Sequence, residues 1–202
     1  VIYEASWSRA VSDLVKKTEG SLVVLGDGDK SRDGYFNGFH SHRIVDSLHI
    51  PVLVVKETQQ VTDYKMIITP LDRTRQTREK LSVVTIVGHA FEAKVLIVGL
   101  LQNSKTESTA HLSSIMHQAS KYIRVKVRQH ETKIIPIKSL VSDLLNVLSE
   151  DKADLLIIMS TPEKSLAHPF SGSYAQQLAD KASTPVLLCP IRLSGIVSSV
   201  SV

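Results

Sequence analysis

Two apolar patterns alternate along the chain. Short unbroken apolar runs fall at residues 22–25, 51–55, 67–68, 95–101, 155–159 and 185–189. Runs apolar on both faces fit strands of a parallel sheet covered by helices. Between them lie longer stretches with apolar residues at helical spacing. Leu112, Ile115, Met116, Ala119 and Ile123 form one such stripe, and Leu140, Leu144, Leu145 and Leu148 another. The patterns predict strands over 64–71, 94–101, 125–130, 154–159 and 185–188. They predict helices over 73–90, 107–123, about 140–148 and 174–182, the first capped by Thr74 or Asp72. This β-α alternation implies a parallel sheet with right-handed crossovers.

The chain also repeats itself. Phe36-Asn37-Gly38 precedes a stretch ending Ile50-Pro51-Val52-Leu53-Val54-Val55. Phe170-Ser171-Gly172 precedes one ending Thr184-Pro185-Val186-Leu187-Leu188-Cys189, and both blocks align at one offset without a gap. Asp46 and Asp180 coincide at that offset. Upstream, Val11-Ser12-Asp13-Leu14 resembles Val141-Ser142-Asp143-Leu144, and Leu22-Val23-Val24-Leu25 resembles Leu155-Leu156-Ile157-Ile158. Four matches in one order point to a duplication. Residues 63–192 hold a complete copy and residues 1–57 a partial one with the last three strands only. In the partial copy residues 1–5, 21–25 and 51–55 are the expected strands, and 9–18 and 40–48 the expected helices. Residues 58–62 are a polar linker and 193–202 a tail. The partial copy lacks its first two βα units, so a longer N-terminus or a partner chain is expected to complete its sheet. Pairing through the last strand of each copy is expected, as a pseudo-dimer of the repeats or a homodimer.

Composition narrows the class. The chain of 202 residues is 43% apolar and 22% charged, ordinary for a globular protein. A net charge of +4, evenly spread, does not suggest nucleic acid. One cysteine, Cys189, excludes an intrachain disulfide and a multi-cysteine metal site, and a cytoplasmic setting is expected. No apolar run approaches the roughly 20 residues that span a bilayer, so no membrane partner is expected for this chain.

Three places carry a family resemblance. Ile67-Ile68-Thr69-Pro70-Leu71-Asp72 is a strand with an acidic residue at its tip. Ala153-Asp154-Leu155-Leu156-Ile157-Ile158-Met159-Ser160 is a second strand. Ser171-Gly172-Ser173-Tyr174-Ala175-Gln176-Gln177-Leu178, with Pro185-Val186-Leu187-Leu188, is a glycine-serine, helix and PVL closing unit that occurs twice. The chain resembles the universal stress protein family in its tandem two-domain form. The resemblance implies an α/β fold with a five-stranded parallel sheet of order 3-2-1-4-5 and helices on both faces. Some members bind ATP and others do not. Those that do carry Gly-x-x-Gly, nine residues, then Gly-Ser or Gly-Thr. Glycines let backbone N–H groups approach phosphates, and a helix N-terminus favours the anion.

Each copy keeps part of that motif. The second holds Met159, Pro162, Gly172 and Ser173 at the four places, and the first Leu25, Gly28, Gly38 and Phe39. Met159 is bulky where closeness is needed, and Pro162 has no N–H to donate. The candidate nucleotide-binding residues are therefore Asp72, Gly172, Ser173, Gly28 and Gly38. The alternative role of these glycines is turn and helix-start geometry, and that of Asp72 is a cap. The resemblance gives Asp72 a nucleotide contact. ATP is a candidate cofactor through a degraded motif.

The remaining polar residues suggest no chemistry. His40, His42 and His49 lack the further ligands a zinc site needs. His168 has no identifiable orienting partner, and Ser171, Ser173 and Asp180 make no hydrolase triad. Arg73, Arg75 and Arg78 form a basic stretch that reads best as solvated surface, and Cys189 as a core thiol. The expectation is a non-catalytic cytoplasmic stress-response protein that binds a small molecule, nucleotide or partner, with no metal. Two other readings stay open: the cytosolic regulatory region of a membrane cation transporter, and an ATP-binding switch.

Overall fold

The apolar runs become adjacent strands of one sheet. A computed structural model describes residues 4–27, 45, 48–59, 63–74, 78–102, 106–160 and 174–190. In chain order the elements are α1 (Glu4–Thr18), β1 (Val23–Asp27), β2 (Val52–Lys56), β3 (Met66–Leu71) and α2 (Leu81–Ala90). They continue with β4 (Lys94–Leu101), α3 (Thr106–Ile123), β5 (Gln129–Pro136), α4 (Leu140–Glu150), β6 (Leu155–Met159), α5 (Tyr174–Lys181) and β7 (Val186–Cys189).

Strands β3 to β7 lie in the order β5-β4-β3-β6-β7, all neighbours parallel. Numbered within that unit, the order is 3-2-1-4-5. The sheet does not stop at five strands, however. It has seven, because β2 pairs antiparallel with β7 and β1 runs parallel to β2. The register across the seam is Val52↔Leu188, Leu53↔Leu187 and Val54↔Val186. Left alone, the apolar edge of β7 would be an open template for pairing; β2 covers it.

Each strand divides its side chains between two layers, as the strand period requires. Ile68, Leu96, Val98, Leu144, Leu156, Ile158, Leu178 and Leu188 form one core layer under α4 and α5. Val11 and Val15 of α1 pack against the same layer, as do Val45 and Leu48. Ile67, Leu71, Val84, Val95, Ile97, Leu112, Met116, Ile157 and Cys189 form the other under α2 and α3. No helix among the described residues is long and apolar enough to cross a membrane.

Three expected boundaries move. Glu4 and Ala5 open α1 rather than ending a strand, so two strands of the partial copy are described rather than three; the helical spacing simply reaches further back than the short apolar start suggests. Residues 125–127 are not a strand. Lys126 and Val127 both donate backbone N–H bonds to the Ile123 carbonyl, which turns the chain after α3, and the edge strand forms at Gln129–Pro136. Its side chains are all half-buried or exposed, as befits a strand at the edge of the sheet. Finally, α2 begins at Leu81, well after residue 73. Asp72 Oδ1 accepts bonds from the Thr74 backbone N–H at 2.7 Å and hydroxyl at 2.8 Å. That local turn competes with a helix start, and Asp72 caps it instead of α2.

Candidate functional site

Strands β3 and β6 are neighbours in the sheet, paired through Ile67↔Leu155 and Ile68↔Leu156. The chain leaves β3 for α2 on one face, and leaves β6 for α5 on the other. That divergence makes the C-terminal ends of β3 and β6 a topological switch point, the place at which sheets of this class have their crevice. In open α/β sheets this switch point is where ligands bind.

Polar side chains gather at that end although the interior is otherwise apolar. Thr69, Asp72, Lys80, Thr85 and Ser160 are the buried polar or charged residues among those described. Only Thr85 lies away from the tips of β3 and β6 and the turns after them; its hydroxyl bonds to the Leu81 carbonyl inside α2 at 2.7 Å. Thr69 Oγ1 donates to the Ile157 carbonyl at 3.1 Å and ties β3 to β6 beneath the crevice. The Ser160 backbone N–H donates to the Cys189 carbonyl at 2.7 Å and holds the end of β6 against β7. From the first turn of α5, Tyr174 Oη donates to the Met159 carbonyl at 3.1 Å.

The electrostatics centre on Asp72 and Lys80. Asp72 is 5% exposed, and Lys80 only 1%. Burial disfavours the ammonium and lowers Lys80 from 10.5 to about 8, while Cys189 and the Asp72 carboxylate pull it back up. Burial pushes the Cys189 thiol up to about 12, against the pull of Lys80. The Tyr174 phenol is also pushed well above its ordinary range by burial, then by Asp72 and Cys189. Thiol and phenol therefore stay protonated at neutral pH. A thiol is a poor nucleophile in that state, in keeping with a core role for Cys189.

Of the expected site residues, Asp72 is described, buried directly after the end of β3. Gly172 and Ser173 lie outside the described residues, as do Gly28 and Gly38. Met159 ends β6 fully buried, and its carbonyl is taken by Tyr174. β1 is parallel to β2, β2 antiparallel to β7, and β7 parallel to β6. Asp27, the last residue of β1, thus lies at the opposite end of the sheet from Leu71 and Met159.

The other candidates scatter. His40, His42, His168, Ser171 and Arg75 lie outside the described residues. His49 is exposed in a left-handed turn with φ 55°. Arg73 is exposed, whereas Arg78 reaches across to α3, where Nη1 donates to Gln118 Oε1 at 3.4 Å. No group of three metal-binding side chains occurs among the described residues. A cavity of about 480 Å³ opens between the approach to α2 and α3, walled by Arg78, Glu79, Ser82, Gln118 and Tyr122. None of its walls comes from a strand end.

Lys80 is the residue that a reading of motifs misses. Its signal is present in the spacing: Lys80 stands four residues before Val84 and eight before Gly88, on the buried face of α2. A lysine in an apolar stripe marks a cation directed inward.

No family profile matches the sequence, and no curated protein matches it. Solved structures do. A universal stress protein in complex with cAMP is 19% identical, with a TM-score of 0.55 over 64% of this chain and 99% of that one. A universal stress protein from Archaeoglobus fulgidus is 21% identical, with a TM-score of 0.51 over 62% of this chain and 93% of that one. A longer one from Archaeoglobus fulgidus DSM 4304 is 14% identical, with a TM-score of 0.64 over 89% of this chain and 64% of that one. The fold is that of universal stress proteins.

Proposed function

We propose that this chain is a cytoplasmic protein of the universal stress kind that binds a small ligand in the β3/β6 crevice and catalyses nothing. The observation that carries this reading is the gathering of Thr69, Asp72, Lys80 and Ser160 at the switch point of an otherwise apolar interior. Buried polar groups are costly unless they are hydrogen-bonded or paired, so their clustering is a local departure from the apolar interior, and it falls at the end of the sheet at which the fold class takes ligands.

The ligand class we propose is an adenine nucleotide with few phosphates. A structure of the same fold in complex with cAMP supports it. The sequence supports the short phosphate chain: Pro162 offers no N–H where the ATP-binding motif has glycine, and Met159 brings a bulky side chain. Asp72 would orient the nucleoside, and the start of α5 after Ser173 would face the phosphate. The non-catalytic reading draws support from Cys189, which burial keeps protonated, and from Tyr174, whose hydroxyl donates to a carbonyl.

The mechanism is a population shift. Cys189 ends β7 at the crevice, and its neighbours Leu187 and Leu188 pair with β2 across the antiparallel seam. A ligand held at the tip of β7 bears on the strand that joins the two repeats. Isothermal titration of AMP into the wild type and Asp72→Ala tests the site: saturable binding that Asp72→Ala weakens at least about tenfold is expected. Equal binding by both proteins, or none by either, would overturn it.

A further inference from the structure

The cavity between the approach to α2 and α3 plays no part in the nucleotide site proposed above. Its volume of about 480 Å³ lies within the range of small-molecule pockets. Leu81 and Ala119, 5% and 2% exposed, give it an apolar base, and Tyr122, half exposed, adds an aromatic ring. Its charged lining is Arg78, half-buried, and Glu79, exposed. A guanidinium carries five N–H donors. Among the described residues Arg78 uses one, in the 3.4 Å contact from Nη1 to Gln118 Oε1, which is long for such a bond. Its Nε is out of reach of water and has no partner. Neither Arg78 nor Glu79 enters an ion pair among the described residues; those pairs join Lys65, Lys94 and Lys133 to other carboxylates. Two opposite charges thus line one largely apolar cavity, and nothing described pairs with either. We propose that this cavity is a second ligand site, which takes the zwitterion of an aromatic amino acid: its carboxylate on Arg78, its ammonium on Glu79, and its ring against Leu81, Ala119 and Tyr122.

The lining selects the class of ligand. A simple anion gains from Arg78 and loses to Glu79, and a simple cation does the reverse. A zwitterion meets both charges with the right sign. The planar carboxylate matches the fork of a guanidinium, which has donors to spare here. A ring in the ligand has an aromatic neighbour in Tyr122 and apolar surface to cover at Leu81 and Ala119. An aliphatic zwitterion would gain the second contact but not the first. The site shares no residue with the β3/β6 crevice, so it stands or falls independently of the nucleotide reading.

The test is a backbone chemical-shift titration of the 202-residue chain with L-phenylalanine, at neutral pH. Saturable shifts are expected at Ser82, Gln118, Ala119 and Tyr122. Two truncated probes measure each charge. Phenethylamine, which lacks the carboxylate, should bind at least about tenfold more weakly, because a hydrogen-bonded charge is lost. 3-Phenylpropionate, which lacks the ammonium, should bind about threefold more weakly, because Glu79 is exposed and its ion pair is worth less. Arg78→Gln, its fold checked by circular dichroism, should weaken L-phenylalanine about tenfold and leave phenethylamine unchanged. If Arg78→Gln does not fold, the three probes on the wild type decide. Absence of saturation below about 20 mM L-phenylalanine overturns the inference. So do equal affinities for the three probes, or shifts centred on Asp72 and Ser160 instead.

Discussion

Replacing Lys80 with methionine gives a stability measurement whose size follows from the structure. The side chain is fully buried, and its folded-state value falls from 10.5 to about 8. At about 1.4 kcal/mol for each tenfold change in proton affinity, burying the protonated form costs roughly 3 kcal/mol more than burying the neutral one. Below pH 8 the lysine is charged in both folded and unfolded chains, and the whole penalty applies. Between pH 8 and 10.5 the unfolded chain binds more protons than the folded one, so stability rises with pH. Methionine has no such penalty to lose. The stability of the wild type relative to Lys80→Met should therefore improve by about 2 kcal/mol between pH 7 and 9.5. Cys189 and Tyr174 act in the opposite direction above pH 9, because both are raised on folding. They are present in both proteins and cancel in the difference while pH stays well below 12. The assay is urea denaturation of both proteins at several pH values in this window, extrapolated to water. A difference that stays flat to within about 0.5 kcal/mol would mean that Lys80 keeps its ordinary proton affinity, and the account of the buried corner would fail.

Other substitutions probe the rest of the account. Leu156→Ala, at a fully buried position in the middle of β6, should cost about 2–5 kcal/mol in urea denaturation. Gly99→Val should cost about 1–3 kcal/mol by overpacking, since a Cβ there already meets Ile134 Cγ1 and Met116 Sδ at 3.1 Å; an unchanged midpoint would show that this layer yields freely. Asp154 Oδ2 accepts the backbone N–H groups of Lys65 and Met66 at 3.0 and 2.8 Å and so holds the start of β3 against β6. Asp154→Ala should lower stability by about 1–3 kcal/mol without altering AMP affinity, because it acts at the end of the sheet opposite the crevice. A loss of AMP binding in a folded Asp154→Ala protein would contradict that separation.

Much of this was legible in the sequence where one force dominates. Residues 94–101 are apolar on both faces, and only a central parallel strand satisfies that pattern; β4 occupies those bounds. The stripe from Leu112 to Ile123 became α3 for the same reason. Residues 50–55 and 184–189 are alike in sequence, and the strands they contain pair antiparallel at the seam. The edges were harder. β5 carries polar residues such as Gln129, Glu131 and Lys133, because an edge strand faces water, and the apolar pair Val125 and Val127 drew attention from it. Val127 is buried, but in a turn packed near Gly88. In the site, Asp72 could be read from its place at a strand tip. Lys80 belongs to no motif, and its burial follows from its place just before α2, in line with that helix's buried face.

The central claim is a location: an adenine nucleotide held at the joint end of β3 and β6. Backbone chemical-shift mapping by NMR during a titration with AMP tests it most directly. The account predicts saturable shifts concentrated at Leu71, Asp72, Thr74, Ser160 and Tyr174, with smaller ones at Cys189 and across the seam at Val52. Shifts concentrated instead at Ser82, Gln118 and Tyr122, around the cavity between α2 and α3, would contradict it.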